Sequence, residues 1–326
     1  MLDLLVVDRL DSEVIDWLGS RHLVRHAPEL AHEPREFRRS LYNVRAAIVP
    51  ASLPIDAETL DFAPVLRAVG RISAGAENID VDACERRRVE VVRSQTASAR
   101  AEAEFTIGAM LSLLRRVPVR GADGAACGRE LGGATIGLVG MPPTARSIAQ
   151  LLSGFGARII GYDPALHASD SVWALWQVMP AGLRELVERS DVLCVQLGYF
   201  SRYQGLLGDR FLPHCKPNQV LVSTAHSGLF DETALAAALR SGRIAAAWLD
   251  SLEPGALDPD RPLAGIETLQ VTPRLAGTTR ESRQRSAWAV ARRIDELLDI
   301  VPRSASDFSS TIPGGLAGLE AASWSL

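Results

Sequence analysis

The sequence predicts two α/β domains, each built on an open parallel sheet, and three observations carry that expectation. Short apolar runs of strand length alternate with segments of helical periodicity along most of the chain. At 326 residues, the chain exceeds the size at which a single hydrophobic core keeps growing. From residue 135 onward the alternation recurs at a spacing that puts helices on both faces of a parallel sheet, a doubly wound arrangement.

The elements follow in order. "LDLLVVD" (2–8), "VRAAIVP" (44–50), "VLRAVG" (65–70) and "VEVVRS" (89–94) read as short buried strands, with "SEVIDWLGS" (12–20) a helix between the first two. A long helix, "AEAEFTIGAMLSLLRRV" (101–117), has apolar spacing suited to burial on most sides, and the Gly-rich "GADGAACGRELGG" (121–133) reads as a link. Strands are then expected at 135–140, 158–162, 190–196, 219–224, 244–250 and 269–272, with a helix from about 143. The helix "SRQRSAWAVARRIDELLDIV" (282–301) is placed to cross back to the first domain. The Ser-, Gly- and Ala-rich stretch 302–326 reads as a tail.

Composition narrows the function classes. With 47% apolar and 23% charged residues and a net charge of -4, the chain is a globular protein with no electrostatic footprint for nucleic acid. Four scattered cysteines form no C-x-x-C pair, which points to a reducing cytoplasm without disulfides or a zinc site. His214 beside Cys215 has no further ligand nearby, so no metal is expected. No basic region precedes an apolar run at the N-terminus, and no stretch of about 18 apolar residues occurs, which speaks against secretion and membrane spanning.

The stretch "GLVGMPPTA" (137–145) carries the first chemical signal. A strand ending in Gly140, a helix, and a second strand ending in Asp163 of "GYDP" make the frame of a Rossmann-type dinucleotide unit. Asp163 stands where an acid holds the adenosine ribose hydroxyls, which favours NAD over NADP. The interior departs from the motif. Pro142 replaces the glycine that lets the backbone approach a diphosphate, and Ala145 occupies the tolerated third position. Pro143 deletes another amide. The amides of Thr144, Ala145 and Arg146 remain for an anion, together with the Thr144 hydroxyl. A plain βαβ turn is the alternative.

Several segments in one order resemble the D-isomer-specific 2-hydroxyacid dehydrogenases: "VGRISAGAENIDVDAC", "AEFTIGAMLSLLRR", "TIGLVGMPPTA", "GYDP", residues 214–250 and "VTPRLAGTT". The resemblance implies an NAD domain (99–283) inserted in a smaller flavodoxin-like α/β substrate domain (1–98 and 284–326), and a homodimer joined through the NAD domains. It implies hydride exchange between nicotinamide and a small anionic substrate, a 2-oxo or 2-hydroxy acid. It also implies that Ala74 and Gly75 match the loop whose backbone holds the substrate carboxylate, and that Asp250 meets the nicotinamide carboxamide. A turn cap is the alternative role for Asp250.

Such a reduction needs a cation for the carboxylate, an acid for the new alkoxide, and a carboxylate to hold that acid. The family's arginine, in a segment like N-T-A-R-G-G, corresponds to His226 of "STAHSG", and its histidine, in T-P-H-x-A-G, to Arg274 of "TPRLAG". Its glutamate position holds Gly255. The two cationic positions read as an exchange, with Arg274 as anion anchor, His226 as proton donor and Glu253 close enough to reach His226. Two rival functions stay open. One is a catalytically inactive NAD-binding or scaffolding homologue, and the other a non-redox enzyme acting on an anionic substrate through His226 and Arg274. In "QLGYFSRYQGLL" (196–207) the aromatic residues Tyr199, Phe200 and Tyr203 replace the family's H-x-P segment, either lining the pocket or packing beneath a loop.

Overall fold

The computed structural model describes residues 2–73, 75, 78–94, 96–117, 119–120 and 123–300. The first layer runs β1 (Leu2–Val6), α1 (Ser12–Gly19), β2 (Val24–His26), α2 (Pro34–Ser40), β3 (Val44–Ile48), α3 (Ala57–Asp61), β4 (Ala68–Arg71), α4 (Val81–Arg86) and β5 (Glu90–Arg93). Its strands are all parallel, in the order β2-β1-β3-β4-β5, the flavodoxin-like order. The long helix α5 (Ala99–Arg116) then leads to a two-stranded hairpin, β6 (Val119–Arg120) and β7 (Ala126–Cys127).

The second layer runs β8 (Thr135–Val139), α6 (Pro143–Ser153), β9 (Arg158–Tyr162), α7 (Val172–Leu175), β10 (Met179–Pro180), α8 (Leu183–Arg189), β11 (Val192–Val195), β12 (Gln219–Ser223), α9 (Glu232–Arg240), β13 (Ile244–Leu249) and β14 (Leu269–Val271). Its parallel order, β10-β9-β8-β11-β12-β13-β14, reverses direction at β8. This is the doubly wound nucleotide-binding arrangement expected from the sequence. The helix α10 (Arg280–Ile300) ends the described chain.

Alternation along each strand explains why both sheets are covered on both faces. In the first, Leu4, Val6, Ala46 and Ile48 pack with α1 and α10, while Leu5, Val7, Ala47 and Val49 pack on the other side with Phe37 and Leu41. In the second, Ile136, Leu138, Val192, Cys194, Val220 and Val222 face α5 and α6, and Leu193, Val195 and Leu221 face α8 and α9.

Helix α10 returns to the first sheet, with Val290, Ile294 and Leu298 one turn apart on its buried face. Burying each such side chain contributes about 1.5–3 kcal/mol, so apolar packing outweighs any single polar tie there. Two ties fix its register. The buried Arg45 pairs with Asp3 at 3.1 Å and donates to the Leu298 carbonyl at 2.8 Å. Nearer the middle, Asp295 accepts from Arg21 at 2.6 Å and contacts His22 Nε2 at 2.7 Å. Among the described residues, His22, Asp295 and Asp299 have donor atoms within 4.8 Å of one another. Arg21 already supplies the cation to both carboxylates.

Four short strands escape a sequence reading. β2 is half exposed, so its alternation is weak. β10 has two residues, and β6–β7 lie at the edge of what reads as a Gly-rich link. The tail 302–326 lies outside the described residues. The described cysteines are free, and burial pushes the Cys84 thiol up to about 11 and those of Cys194 and Cys215 up to about 12. His214, beside Cys215, takes a hydrogen bond from Arg184 at 2.9 Å. Among the described residues no helix is long and apolar enough to cross a membrane.

The Asp295 tie gives α10 a pH signature. Burial alone would raise its carboxyl, but hydrogen bonds from Arg21 and His22 and their charges hold it below its usual 3.8. A depressed folded value means that the stability is present above about pH 4 and is lost as pH falls through the folded value. Asp295→Asn should therefore lower stability at neutral pH by roughly 1–3 kcal/mol. The gap between variant and wild type, measured by urea unfolding, should close as pH falls below 4.

Candidate active site

The carboxyl ends of the two parallel sheets face each other across a cavity of about 640 Å³, the location where open α/β sheets place ligands. From the first sheet come Asp8, just beyond β1, and Arg71, at the end of β4. From the second come His226 after β12, Asp250 after β13 and Arg274 after β14. Glu102 of α5 and Arg283 of α10 close its sides.

His226 is held on three sides. Its Nδ1 accepts the Gly228 amide at 3.0 Å, so on a neutral ring the proton sits on Nε2. Nε2 lies 3.0 Å from Glu253 Oε1. The Tyr199 ring stacks on the imidazole at 4.3 Å between centroids, 19° from parallel. Glu253 is half exposed, with 51% of its side chain accessible, and connects the ring to solvent. It reaches the ring because the chain turns immediately afterwards. Gly255 has φ of +77°, a conformation that a glutamate there would adopt only under strain. The carboxylate beside His226 thus sits two residues upstream of the position it occupies in the resemblance.

Arg274 sits on a loop built by Asp250. The Asp250 carboxylate, 4% exposed, accepts from Thr272 Oγ1 at 2.5 Å and from the amides of Leu275 and Ala276 at 2.9 and 2.8 Å. The Asp250 carbonyl accepts the Arg274 amide at 2.7 Å. This clamp holds Arg274 at φ of +55°, which costs a non-glycine residue about 1–2 kcal/mol. Strain of this kind persists only where the surroundings over-determine it. The Arg274 Nε donates to Ser251 Oγ at 3.3 Å, and its side chain lines the cavity. For Asp250 the turn-cap role is thus what its hydrogen bonds display. A carboxylate has about four acceptor positions and three are taken, so one remains for a donor in the cavity.

The dinucleotide turn is separate from this cavity. Gly140, at φ of +87°, brings its Cα side so close to the residues after β11 that a Cβ would lie 2.4 Å from Leu197 Cα. Asp163 joins the same turn, accepting the Met141 amide at 2.8 Å with one oxygen and the Ala165 amide at 2.8 Å with the other. Each oxygen keeps a lone pair for a ribose hydroxyl, so the adenosine end fits a dinucleotide. Pro142 takes the N-cap position of α6 and Pro143 its first turn, which leaves Thr144 and Ala145 as the amides without helical partners. The Arg146 amide is already given to the Pro142 carbonyl at 3.2 Å. Ala145 is fully buried in the core beneath the turn and can offer only its backbone.

Two sequence expectations change here. The Thr144 hydroxyl is not available to a phosphate, because its one proton goes to Glu102 Oε2 at 2.6 Å. The Arg146 amide is likewise committed. Gly75 is half buried, its carbonyl accepting from Ser73 at 3.4 Å, while Ala74 lies outside the described residues. The structure therefore brings His226, Asp250 and Arg274 together at one cavity, with Glu253 reaching His226 from a neighbouring groove, and leaves Gly140, Pro142, Thr144, Ala145 and Asp163 outside it. Phe200 is 57% exposed. Tyr203 packs on the core and takes Arg202 against its ring at 4.7 Å.

Sequence reasoning missed Asp8, Arg71, Glu102 and Arg283. The first two stand at strand ends, where the carboxyl-end rule points to them, whereas Glu102 and Arg283 lie on helices with no local signal. Burial pushes the Asp8 carboxyl above its usual range, against a hydrogen bond from the Arg9 amide and the charges of Arg283 and Arg71. Because Asp250 gathers the 272–276 turn, Asp250→Asn should free that segment. Hydrogen exchange at Leu275 and Ala276 should accelerate at least tenfold, with a stability loss of roughly 1–3 kcal/mol.

The comparisons agree with this architecture. A family model described as the D-isomer specific 2-hydroxyacid dehydrogenase NAD binding domain matches residues 108–276. The (S)-sulfolactate dehydrogenase of Chromohalobacter salexigens is 32% identical, over 92% of this chain and 99% of its own. A D-3-phosphoglycerate dehydrogenase of Mycobacterium tuberculosis is 30% identical over 98% of this chain, which spans 61% of that protein's length. The crystal structure of the TT0316 protein from Thermus thermophilus is similar with a TM-score of 0.74 and 25% identity, covering 91% of this chain and 97% of its own. These likenesses support a nicotinamide cofactor and an NAD-dependent 2-hydroxyacid dehydrogenase function, and the chain belongs to the D-isomer specific 2-hydroxyacid dehydrogenase family.

Proposed function

We propose that the protein reduces a small 2-oxo acid, or oxidises the corresponding 2-hydroxy acid, with the family's imidazole and guanidinium in exchanged positions. The observation that carries this reading is the meeting of His226, paired with Glu253, and Arg274 at one interdomain cavity. Arg274 anchors the substrate carboxylate, a task suited to a planar guanidinium held at a fixed backbone angle. Nδ1 is turned to the Gly228 amide, so Nε2 is the nitrogen that serves the substrate oxygen, and it does so by exchanging its contact with Glu253 for that oxygen when substrate binds. In the reducing direction the doubly protonated ring, its Nδ1 released from the Gly228 amide, gives the Nε2 proton to the new alkoxide and is left neutral with its proton on Nδ1, and Glu253 then carries a proton from solvent back to Nε2. Glu253 is a positioning residue in this scheme. Nicotinamide, when bound, supplies or accepts the hydride. Asp163 holds the adenosine ribose, and Gly140, Pro142, Thr144 and Ala145 form the turn beside the diphosphate through their backbone. The free acceptor position of Asp250 receives the carboxamide, and the backbone of Gly75 serves the substrate carboxylate.

The cavity also has an anion-binding character beyond Arg274, since Arg71 and Arg283 line it as well. The sulfolactate and phosphoglycerate enzymes that resemble this chain are named for anionic substrates, and we place this protein's substrate in that chemical class. The substrate domain comprises 1–98 and 284–326, the NAD domain 99–283, and two chains associate through their NAD domains.

NADH oxidation with a panel of 2-oxo acids tests the scheme. His226→Ala and Arg274→Ala should each lower kcat/KM by about two orders of magnitude or more, and NADH affinity should stay within about twofold. Glu253→Gln should lower kcat about tenfold with little change in KM and alter the pH profile, which loss of a merely structural contact would not do. Unchanged rates in the first two variants would reject the exchanged roles. Absence of any nucleotide binding would instead favour the scaffolding form of the inactive rival, and product formed without a change in nicotinamide oxidation state the non-redox one.

A further inference from the structure

We propose that Glu102 is a built-in anion that competes with the dinucleotide diphosphate for the amino end of α6, and so sets the affinity of the cofactor. The inference rests on the nicotinamide reading above and extends it to a residue outside the motif. Three observations meet at this point. Glu102 Oε2 takes the Thr144 hydroxyl proton at 2.6 Å, so a carboxylate stands against the first turn of α6. The same side chain faces the cavity, and its Oε1 lies 3.1 Å from where a Cβ on Gly277 would be. Donors that ordinarily outweigh a nearby negative charge are also reduced. Pro142 and Pro143 have no amide proton, and the Arg146 amide is committed to Pro142.

The physical balance follows from these groups. The amino end of a helix attracts one anion through its partnerless amides and its dipole. Here the protein's own carboxylate already takes part of that attraction, and a diphosphate arriving beside it meets like-charge repulsion. The repulsion is Coulombic and partly solvent-exposed, so salt weakens it. A reduced dinucleotide, which carries one more negative charge than the oxidised form, is penalised more. Glu102 therefore shifts the site toward the oxidised cofactor, and with it toward oxidation of a hydroxy acid.

Calorimetric titration of the full chain with NADH, NAD, ADP-ribose and adenosine tests this. Glu102→Gln keeps an acceptor for Thr144 but removes the charge. It should tighten NADH and ADP-ribose by about tenfold at low salt, NAD by less, and adenosine not at all, and the gain should shrink toward unity near about 1 M salt. Thr144→Val removes the hydroxyl and leaves the carboxylate, and should give no tightening. If both variants acted alike, the effect would come from the lost Thr144 contact and the proposal would fall. If wild type and Glu102→Gln bound NADH equally, the proposal would fall while the nicotinamide reading stood. If neither bound any nucleotide, both would fall. Binding that emerges only in Glu102→Gln would support the competition directly.

Discussion

The buried carboxylate of Asp250 is the constraint on which the cavity depends. A 4% exposed acid is costly to keep unless its acceptor positions are filled. Here the filling comes from one hydroxyl and two amides of a single turn. That requirement pulls residues 272–276 over the end of β13 and leaves Arg274 at a positive φ with its side chain toward the cleft. The strain of about 1–2 kcal/mol at Arg274 is smaller than the cost of leaving the carboxylate unpaired, so the clamp wins. A guanidinium at this position is therefore presented by the backbone rather than by the choice of a side-chain conformation.

The second constraint is the return of α10. Because its apolar face belongs to the first sheet while its first turn borders the cavity, the helix makes the two sheets share one boundary. Ser282, Arg283 and Ser286 enter the cavity from this end only because Val290, Ile294 and Leu298 are anchored further along. Packing at one end of the helix thus determines which polar groups the other end offers to a ligand.

Much of this was legible in the sequence, and the reasons are specific. The central strands were readable because both faces of each sheet are buried, so they appear as unbroken apolar runs. The edge strands β2 and β10 were not, because they are too short or too exposed to carry a pattern. The cleft residues were legible where a motif fixes their position relative to a strand end, as for His226, Asp250 and Arg274. Glu102 was invisible because its partner, Thr144, is 42 residues away, and nothing in a helical stretch signals which of its acids will meet another helix. Asp250 carries two readings in the sequence, a nicotinamide contact by resemblance and a turn cap, and its hydrogen bonds display the second.

The position of Glu253 shows how a carboxylate can meet an imidazole although the motif's own acid position is vacant. An imidazole that handles a proton needs an oriented ring and a carboxylate beside it, and neither need fixes where in the chain that carboxylate lies. In this chain a left-handed glycine at 255 turns the backbone so that residue 253 faces the ring. The Gly228 amide and the Tyr199 ring restrict the remaining freedom of the imidazole. Neither support belongs to the turn that carries Arg274. In the proposed scheme, exchanging the two cations requires new supports for the imidazole, and the stacked Tyr199 ring and Glu253 supply them.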